Sequence, residues 1–528
     1  MKKEKEADEK NDKQAPEEGK MNRRTLLKAM TGVPVLGVFG YELFKEKSYK
    51  KGKDKLIMQK LGLGDLKTPL LLKKSSGGDL LRIGIIGFGN RAPVHANALG
   101  YMHPDDVQNR TKNGTLQDWL LQDDLNVSIT GICDVYNRHA QRAVETIEND
   151  VHPNGFHNAK FNVKRYLHWQ EMLEDENIDA VIIATPDHHH AEISIAAARK
   201  GKHIYCEKSV ALTEQELNTL YRVVKDSNIV YQLGHQITQS GVFQQAKEIV
   251  RRNILGKVTL VETTTNRNTA SGAWIRHLDA DGNPKPGSEK DIDWKQWLGN
   301  SPYVPFSVDR YYNWTKWFAY DTGMIGQLFT HEYDAVNQLL EIGIPHSVMS
   351  SGGIYYWKDN REIPDLLQCV FEYPDKDLTL LYSGCLANSR SRGRVFMGRD
   401  ASMELGSSVQ IKVDNDSERY KKLIESGELD PSKPVLSLAD GNQDVDAVTS
   451  ATARYFASRG LVTTNINGHE VDLTYLHIKE WIDCIRNGAT PSANIERAFE
   501  EGVACIMANR SYLEKRRMVW DPVNRKIV

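Results

Sequence analysis

This sequence lacks an excess of charge of either sign. Its 68 lysine and arginine residues nearly cancel its 70 aspartate and glutamate residues, so the formal net charge is only −2 at pH 7. A chain without a positive excess has no overall field that would attract nucleic acid or an acidic membrane surface. We therefore expect no nucleic-acid partner, and a neutral organic substrate suits this charge balance.

Paired cysteines are absent as well. None of the six cysteines forms a C-x-x-C pair, which argues against a zinc knuckle or a thioredoxin-like motif. Several lie in apolar runs, so we expect buried free thiols. The positions are Cys133, Cys206, Cys369, Cys385, Cys484 and Cys505.

The N-terminal segment is organised like an export signal. Residues 1–20 are almost all charged or polar, which predicts disorder. Arg23 and Arg24 precede a short apolar run, as in a signal peptide, and the arginine pair resembles a twin-arginine signal. The run is shorter than the roughly 20 residues that a membrane-spanning helix needs. We expect a periplasmic or otherwise exported protein whose membrane insertion is limited to an N-terminal anchor.

Three alternatives for this segment stay open: an uncleaved anchor, a cytoplasmic tail with chance arginines, and a true start at Met21. If the signal does not function, the protein is cytoplasmic. The predicted organisation assigns residues 1–45 to a charged extension with a signal or anchor, and the lysine-, glycine- and serine-bearing residues 46–79 to a linker.

The first predicted domain begins with a glycine-rich turn. Leu81 to Ile86 form an apolar run that predicts a buried strand, and G-x-G-x-x-A follows it before an alanine-bearing helix. In such a turn Gly87 permits the tight bend, Gly89 lets a pyrophosphate approach the backbone, and Ala92 keeps the helix close to the sheet. The helix N-terminus offers N–H groups to the phosphates. The predicted cofactor contacts here are Gly87, Phe88, Gly89, Asn90 and Arg91.

An acidic residue follows the second predicted strand. Asp134 ends the run NVSITGICD, where it can accept a hydrogen bond from a ribose 2′-hydroxyl. It comes 47 residues after Gly87, against about 20 in the usual arrangement, and we interpret the polar stretch Tyr101–Asp124 as an insertion. An acid here favours NAD because it would repel a 2′-phosphate, whereas Arg138 nearby leaves NADP open.

A further strand–helix–strand unit extends the same sheet. We expect a strand at Ala180–Ala184, a helix at Glu192–Lys200 and a strand at His203–Cys206, an alternation that predicts a parallel sheet. Ligands bind at the carboxyl ends of such strands. Because consecutive histidines at 188–190 point in different directions, we predict no metal site there. The predicted cofactor contacts in this unit are Thr185, Pro186, His190, Glu207 and Lys208.

The turn GFGNRA, the run ATPDHHHAEISIAAARKGKHIYCEKSVALT and the later GHQ resemble the Gfo/Idh/MocA oxidoreductases. The resemblance covers about residues 80–345 and a C-terminal stretch that begins HIKEWIDCIRN. It implies an α/β protein with an N-terminal Rossmann dinucleotide-binding domain, residues 80–206. It also implies a C-terminal α/β substrate and oligomerisation domain, residues 207–528, with a large, mostly antiparallel sheet. We therefore expect a homo-oligomer.

The same resemblance implies catalytic residues, with two departures from the family pattern. Glu-Lys-Pro in the family reads Glu-Lys-Ser here, which keeps Lys208 to polarise the reacting hydroxyl beside a nicotinamide. Asp-x-Gly-x-His corresponds to Gln327 through His331, which keeps the histidine as an acid–base group. Asp334 lies one helical turn further on. We predict Lys208, His331 and Asp334 as catalytic. Gln327, at the aspartate position of the pattern, can bind a substrate hydroxyl but cannot take its proton.

Aromatic rings interleaved with polar donors suit a carbohydrate, whose C–H faces stack on rings while its hydroxyls form hydrogen bonds. Such a cluster occurs in DRYYNWTKWFAYDTG, although ordinary packing would explain any one ring equally well. The predicted substrate contacts are His235, Gln236, Arg310, Trp314 and Gln327.

These residues together predict an NAD(P)-dependent oxidoreductase that transfers a hydride to or from a secondary hydroxyl of a sugar or sugar derivative. Two alternatives use the same dinucleotide site. One is an NAD-dependent glycoside hydrolase of the same family, which oxidises its substrate transiently, and the other is a non-catalytic member that binds a sugar or a nucleotide.

Overall fold

The computed structural model describes residues 56, 59–63, 78–149, 163–269, 272–276, 290–390, 392–439, 463–466 and 469–528. The predicted extension and signal at residues 1–45 lie outside these residues, as does most of the predicted linker. From Leu61 to Val528 the chain forms one compact unit. Within the described ranges, no helix combines the length and the apolar composition that a membrane crossing requires.

Six parallel strands form the first sheet, in the order β3-β2-β1-β4-β5-β6. The strands are β1 Leu81–Ile86, β2 Val127–Cys133, β3 Lys164–Tyr166, β4 Ala180–Ile183, β5 His203–Cys206 and β6 Tyr231–Leu233. Ile83 of β1 lies between Ile129 of β2 and Ala180 of β4, and all three are buried, as in parallel sheets covered on both faces. This order confirms the predicted Rossmann fold and opens a crevice at the carboxyl ends of β1 and β4.

Seven helices connect these strands in the described ranges. They are α1 Ala92–Ala98, α2 Pro104–Lys112, α3 Leu116–Leu120, α4 Asn137–Ile147, α5 Trp169–Glu174, α6 His190–Arg199 and α7 Glu214–Lys225. Helix α1 has a proline in its first turn, where a backbone N–H has no carbonyl partner within the helix, so the missing N–H of proline costs no hydrogen bond. The predicted insertion Tyr101–Asp124 contains α2 and α3, so it lengthens the connection to β2 without moving β2 away from β1.

Ten strands form the second sheet, in the order β14-β13-β12-β11-β7-β10-β9-β8-β17-β18. The strands after β6 are β7 Val258–Asn266, β8 Ser347–Gly353, β9 Leu366–Tyr373, β10 Leu378–Cys385, β11 Arg394–Gly398, β12 Ala401–Leu405, β13 Ser408–Val413, β14 Leu436–Ala439, β15 Thr463–Ile466, β16 His469–Asp472, β17 Met518–Asp521 and β18 Lys526–Ile527. Strands β15 and β16 pair separately. Strands β7 and β10 pair in parallel, and most other neighbouring strands pair antiparallel. The predicted large, mostly antiparallel sheet is therefore confirmed.

Helices from the C-terminal part complete the core of the first domain. The remaining helices are α8 Gly241–Arg251, α9 Trp294–Leu298, α10 Val308–Tyr312, α11 Thr330–Leu340, α12 Lys421–Glu425, α13 Leu473–Asn487 and α14 Ile495–Glu514. Leu473, Ile478 and Trp481 of α13 pack into the same apolar cluster as Ile83 of β1. Since β6 also follows residue 206, the predicted end of the first domain, the first sheet and its core both continue beyond that position.

A segment between β7 and β8 covers the carboxyl edge of the first sheet. The Asp293 N–H donates to the Val135 carbonyl oxygen at 2.9 Å, just beyond the end of β2. Rings of Trp297 and Tyr320 pack into one cluster with Tyr136. This aromatic segment, residues 290–320, therefore forms one wall beside the crevice.

Candidate active site

The glycine turn after β1 is shaped by its neighbours. Gly87 has a φ of +83°, and a Cβ atom there would lie 2.9 Å from the carbonyl carbon and oxygen of Ala184. Glycine alone meets both constraints without strain. At Gly89 an added Cβ would meet no atom within 4 Å. That open side of the turn has room for the predicted pyrophosphate.

Asp134 is held beside this turn. Its carboxylate accepts hydrogen bonds from the backbone N–H groups of Phe88 at 2.5 Å and Tyr136 at 2.8 Å. The Phe88 ring is buried, so Phe88 offers the crevice its backbone rather than its side chain. The acid at the end of β2 is therefore next to the first glycines in space, despite the long connection between them.

Glu207 is a buried anion that joins β5 to the glycine turn. Its Oε1 lies 2.8 Å from Arg91 Nε and 2.9 Å from His95 Nε2, and it accepts a hydrogen bond from Gln236 Nε2 at 3.1 Å. Burial alone would raise the pKa of Glu207, but the Arg91 charge and the His95 hydrogen bond hold that pKa well below its ordinary value. Arg91 and Gln236, predicted as ligand contacts, are thus both bound to Glu207.

His190 bridges the loops after β4 and β5. Its Nε2 lies 2.8 Å from the Thr185 carbonyl oxygen and its Nδ1 lies 2.6 Å from the Ser209 carbonyl oxygen. Since both ring nitrogens are engaged by the backbone, this residue shapes the crevice instead of offering a nitrogen to the predicted cofactor. The two histidines before it both reach the Trp297 carbonyl oxygen at 2.8 Å, so they do not point apart.

Lys208 faces Gln327 across the crevice. Lys208 Nζ donates to Gln327 Oε1 at 2.7 Å, and Gln327 Nε2 donates to Asp321 at 2.8 Å and to Asp187 at 3.1 Å. An ammonium only donates and carboxylates accept, so this orientation of the amide satisfies both sides. Glutamine, at the position where the family pattern has aspartate, therefore connects the lysine to two carboxyl groups.

Asp187 and Asp321 form a buried acid pair. Each is at most 2 % exposed, and Thr322 Oγ1 donates to Asp187 at 3.1 Å. Burial, and then the neighbouring charge of Asp187, raise the pKa of Asp321 well above its ordinary value. Burial beside a second acid therefore favours the neutral form of Asp321.

His331 is supported from behind by two buried side chains. Its Nδ1 lies 3.2 Å from His235 Nδ1, and His235 Nε2 lies 2.7 Å from Glu501 Oε2. His235 and Glu501 are each 1 % exposed, whereas His331 is partly exposed. The predicted substrate contact His235 is therefore placed behind His331, away from solvent.

Asp334, on α11, lies close to His235 and Glu501. One ligand-type atom from each of His235, Asp334 and Glu501 lies within 4.8 Å of the others, a spacing that a cation would suit. Burial raises the pKa of Asp334, and the His235 charge opposes that shift. Because His235 already supplies positive charge to both carboxylates, we assign these side chains as an ion-pair cluster.

Arg310 and Trp314 belong to the aromatic segment. The Arg310 guanidinium lies 4.6 Å from the centre of the Trp317 ring and donates to the Tyr320 hydroxyl at 3.3 Å. Trp314 keeps partial exposure. Tyr320 directly precedes Asp321, so the aromatic wall adjoins the acid pair.

Sequence reasoning did not identify Asp187 or Glu501. Asp187 follows Pro186 at the carboxyl end of β4, and that position was a signal that could have identified it. Glu501 lies in the middle of α14, far from His235 in the sequence, and no local pattern distinguishes it from neighbouring acids.

Residues 81–235 match the family model GFO_IDH_MocA, which describes an oxidoreductase family with an NAD-binding Rossmann fold. A levoglucosan dehydrogenase of Pseudarthrobacter phenanthrenivorans is 32% identical over 188 residues, which are 35% of this chain and 41% of that protein. A 2,7-anhydro-N-acetylneuraminate hydratase of Escherichia coli is 27% identical over 95 residues, 18% of this chain and 26% of that protein. The chain thus matches less than half the length of either relative.

Among solved structures, a levoglucosan dehydrogenase in complex with NADH and levoglucosan has a similar fold. The TM-score is 0.55 at 16% sequence identity, and the match covers 83% of this chain and 99% of the other. At this identity the likeness establishes the shared fold.

Proposed function

We propose that this chain transfers a hydride between NAD and a secondary hydroxyl carbon of a sugar or sugar derivative, because residues 81–235 match the model of the Gfo/Idh/MocA family of NAD-binding oxidoreductases. The position of Lys208 carries this proposal. Lys208 directly follows Glu207, which is bound at 2.8 Å to Arg91 of the glycine turn. The lysine and the cofactor turn therefore line one crevice.

The residues of that crevice fit NAD. The open side of Gly89 accommodates a pyrophosphate, and the Asp134 carboxylate, fixed by two backbone N–H groups, would accept a ribose hydroxyl and repel a 2′-phosphate. Arg138 is exposed nearby and would be the residue to bind NADP instead. Bound NAD would supply the hydride acceptor or donor.

On the substrate side, Lys208 would donate a hydrogen bond to the reacting oxygen and stabilise the negative charge that develops there. Gln327 holds the lysine in place, and His331 gives or takes the proton. Trp314 and Arg310 supply a ring face and a polar donor for a pyranose. The relative named levoglucosan dehydrogenase supports a sugar of this kind as the substrate class.

The test is NADH formation by the purified protein from levoglucosan and a panel of free hexoses. We expect Lys208→Ala to lower kcat by about 100-fold or more, the usual range for a lost acid–base group. Lys200→Ala is the matched control, because Lys200 is exposed and pairs with Glu174 away from the crevice. Turnover that survives Lys208→Ala would contradict the role of the lysine.

A redox-neutral reaction is the second candidate, in which NAD is reduced and reoxidised within each turnover and the substrate loses an aglycone or water. The amide of Gln327 favours it, since among the described residues the partner of Lys208 Nζ is an amide oxygen, which does not accept a proton from the lysine. The relative named a hydratase also supports it. Product release without added NAD and without net NADH distinguishes this candidate from the dehydrogenase.

Export is proposed from the arginine pair at residues 23 and 24 and the apolar run that follows. Cell fractionation of the full chain should find the protein outside the cytoplasm. Replacement of both arginines by lysine should retain it inside, because the twin-arginine pathway reads the pair itself. An unchanged distribution would contradict a twin-arginine signal.

Self-association is proposed through the exposed face of the second sheet. Met349 of β8 and Val370 of β9 lie opposite each other in the register and are 42% and 37% exposed. Adjacent apolar side chains on an open sheet face are typical of an interface. Val370→Glu should dissociate the oligomer in light scattering, and an unchanged mass would place the interface elsewhere.

A further inference from the structure

We propose that Glu501, His235 and His331 form a proton relay, in which Glu501 and His235 are positioning residues that let His331 exchange a proton with the substrate oxygen. The proposal rests on the oxidoreductase function proposed above. The three side chains come from distant parts of the chain, the loop after β6, α11 and α14. They line up over two contacts, of 2.7 Å and 3.2 Å.

The route for a proton on the lysine side is interrupted. Lys208 contacts the carbonyl oxygen of Gln327, and an amide oxygen accepts a hydrogen bond without taking a proton near neutral pH. The acid pair of Asp187 and Asp321 lies beyond that amide. Of the other two predicted catalytic residues, Asp334 is buried, whereas His331 is partly exposed and has His235 as a partner behind it.

The contact between the two histidines joins Nδ1 to Nδ1, so one ring carries the proton there and the other offers a lone pair. In the empty form of the relay, His235 Nε2 holds a proton beside the Glu501 carboxylate, His331 Nδ1–H donates to His235 Nδ1, and His331 Nε2 has a lone pair. In the loaded form His235 carries both protons and donates Nδ1–H to His331 Nδ1, while His331 Nε2 carries a proton.

Proton transfer through this chain is balanced. During oxidation, the substrate C–H bond releases a hydride to NAD and the O–H bond releases its proton to His331 Nε2. The Nδ1 proton of His331 then moves to His235 Nδ1, and the new positive charge comes to rest beside the Glu501 carboxylate. Reduction of a carbonyl runs the same transfers backwards, with His331 Nε2–H as the donor.

The surroundings place the extra proton on His235. Burial would lower the pKa of His235, but the charges of Glu501 and then Asp334 raise it to about 9. Burial, and then the charge of His235, lower the pKa of His331 well below its ordinary value. The titratable and charged groups that face the two rings are Glu207, Lys208, Asp334, His477, Glu501 and Arg91.

The relay is therefore loaded below about pH 9, which makes the resting site a proton donor. Carbonyl reduction should be fast at neutral pH and decline as pH rises through that value. Oxidation should do the opposite and increase toward alkaline pH. Removal of the Glu501 charge should move both midpoints to lower pH, because the charge on His235 loses its main stabilising partner.

The test combines ring-nitrogen NMR of the full chain with pH profiles of kcat/KM. His235, assigned by His235→Asn, should stay doubly protonated at pH 8 in the wild type, and its midpoint should fall by about one unit or more in Glu501→Gln. Glu500→Gln is the matched control on the same helix, since Glu500 binds Asn337 instead of the histidines. It should leave the midpoint unchanged.

Two kinds of result would overturn the relay. One is a His235 midpoint near that of a free histidine in the wild type, or a kcat/KM profile that Glu501→Gln leaves unshifted. The other is a stoichiometric metal ion in the purified protein that His235→Asn removes, because a metal would occupy the His235 nitrogen that must hold the proton. If the histidine midpoints behave as expected but no sugar is turned over, the proposed function fails while the charge coupling stands.

Discussion

The glycine turn and the proton-handling side of the crevice are built in different ways. Gly87 and Asp134 follow adjacent strands of one sheet, and their contacts are mostly with backbone atoms. Lys208, Gln327 and His331 depend on side chains from separate helices and loops. The first region lies within the residues that match the family model, whereas the second lies partly outside them and places the amide of Gln327 among buried acids.

This difference shows where the chemistry of such a fold can change. Backbone contacts tolerate little variation because the φ angle and close carbonyl groups restrict the residue. Side-chain contacts can be redistributed, provided that each buried polar group keeps a partner. Here the amide of Gln327 donates to two buried acids, Asp187 and Asp321.

The largest expected effect comes from Gly87→Ala. A methyl group would collide with the Ala184 carbonyl at 2.9 Å in a backbone conformation that alanine disfavours, so we expect the free energy of unfolding to fall by about 2–4 kcal/mol and NAD binding to be lost. Gly89→Ala should unfold like the wild type but bind NAD more weakly. Thermal unfolding measures the stability of the two variants and calorimetry measures their NAD binding. Equal stability of the two variants would contradict the steric restriction at Gly87.

The acid pair gives the next effect, through two matched variants. Asp321→Asn replaces a group whose raised pKa favours its neutral form, so turnover should change little, whereas Asp187→Asn removes the other acid that binds Gln327 and should lower kcat about tenfold, equivalent to about 1.4 kcal/mol. Equal effects would mean that the proton is not on Asp321.

The pH dependence of stability separates these variants further. Because the folded-state pKa of Asp321 is raised, the folded wild type holds a proton that the unfolded chain releases. Its contribution to stability is therefore lost progressively as pH rises from the ordinary range of aspartate toward the raised value. Urea unfolding of Asp321→Asn between pH 4 and pH 8 should be flatter than that of the wild type.

The smallest effect is expected at Asp134. Asp134→Asn keeps the shape but removes the charge, and because the amide oxygen still accepts a hydrogen bond, NAD affinity should fall only about fivefold, equivalent to about 1 kcal/mol. Discrimination against NADP should fall more. Asp105→Asn, at an exposed position outside the crevice, is the control. Isothermal titration with both cofactors gives the comparison, and an unchanged ratio would remove Asp134 from ribose recognition.

Several features were predictable because they depend on neighbours in the sequence. The strand Leu81–Ile86 has the predicted bounds, and the helix after β4 begins two residues earlier than the predicted Glu192. The carboxyl ends of β4 and β5 follow directly from these strands. By contrast, the burial of His235 and the engagement of His190 by two carbonyl oxygens depend on loops that meet only in the folded chain.

The Rossmann sheet, the glycine turn and the lysine at the end of β5 follow from local sequence, because strand periodicity and turn geometry act over a few residues. Tertiary structure alone decided which acids surround Gln327 and which partner stands behind His331. Glu501 and His235 have no local signal, since electrostatic contacts in a core depend on the packing of α14 against the loop after β6.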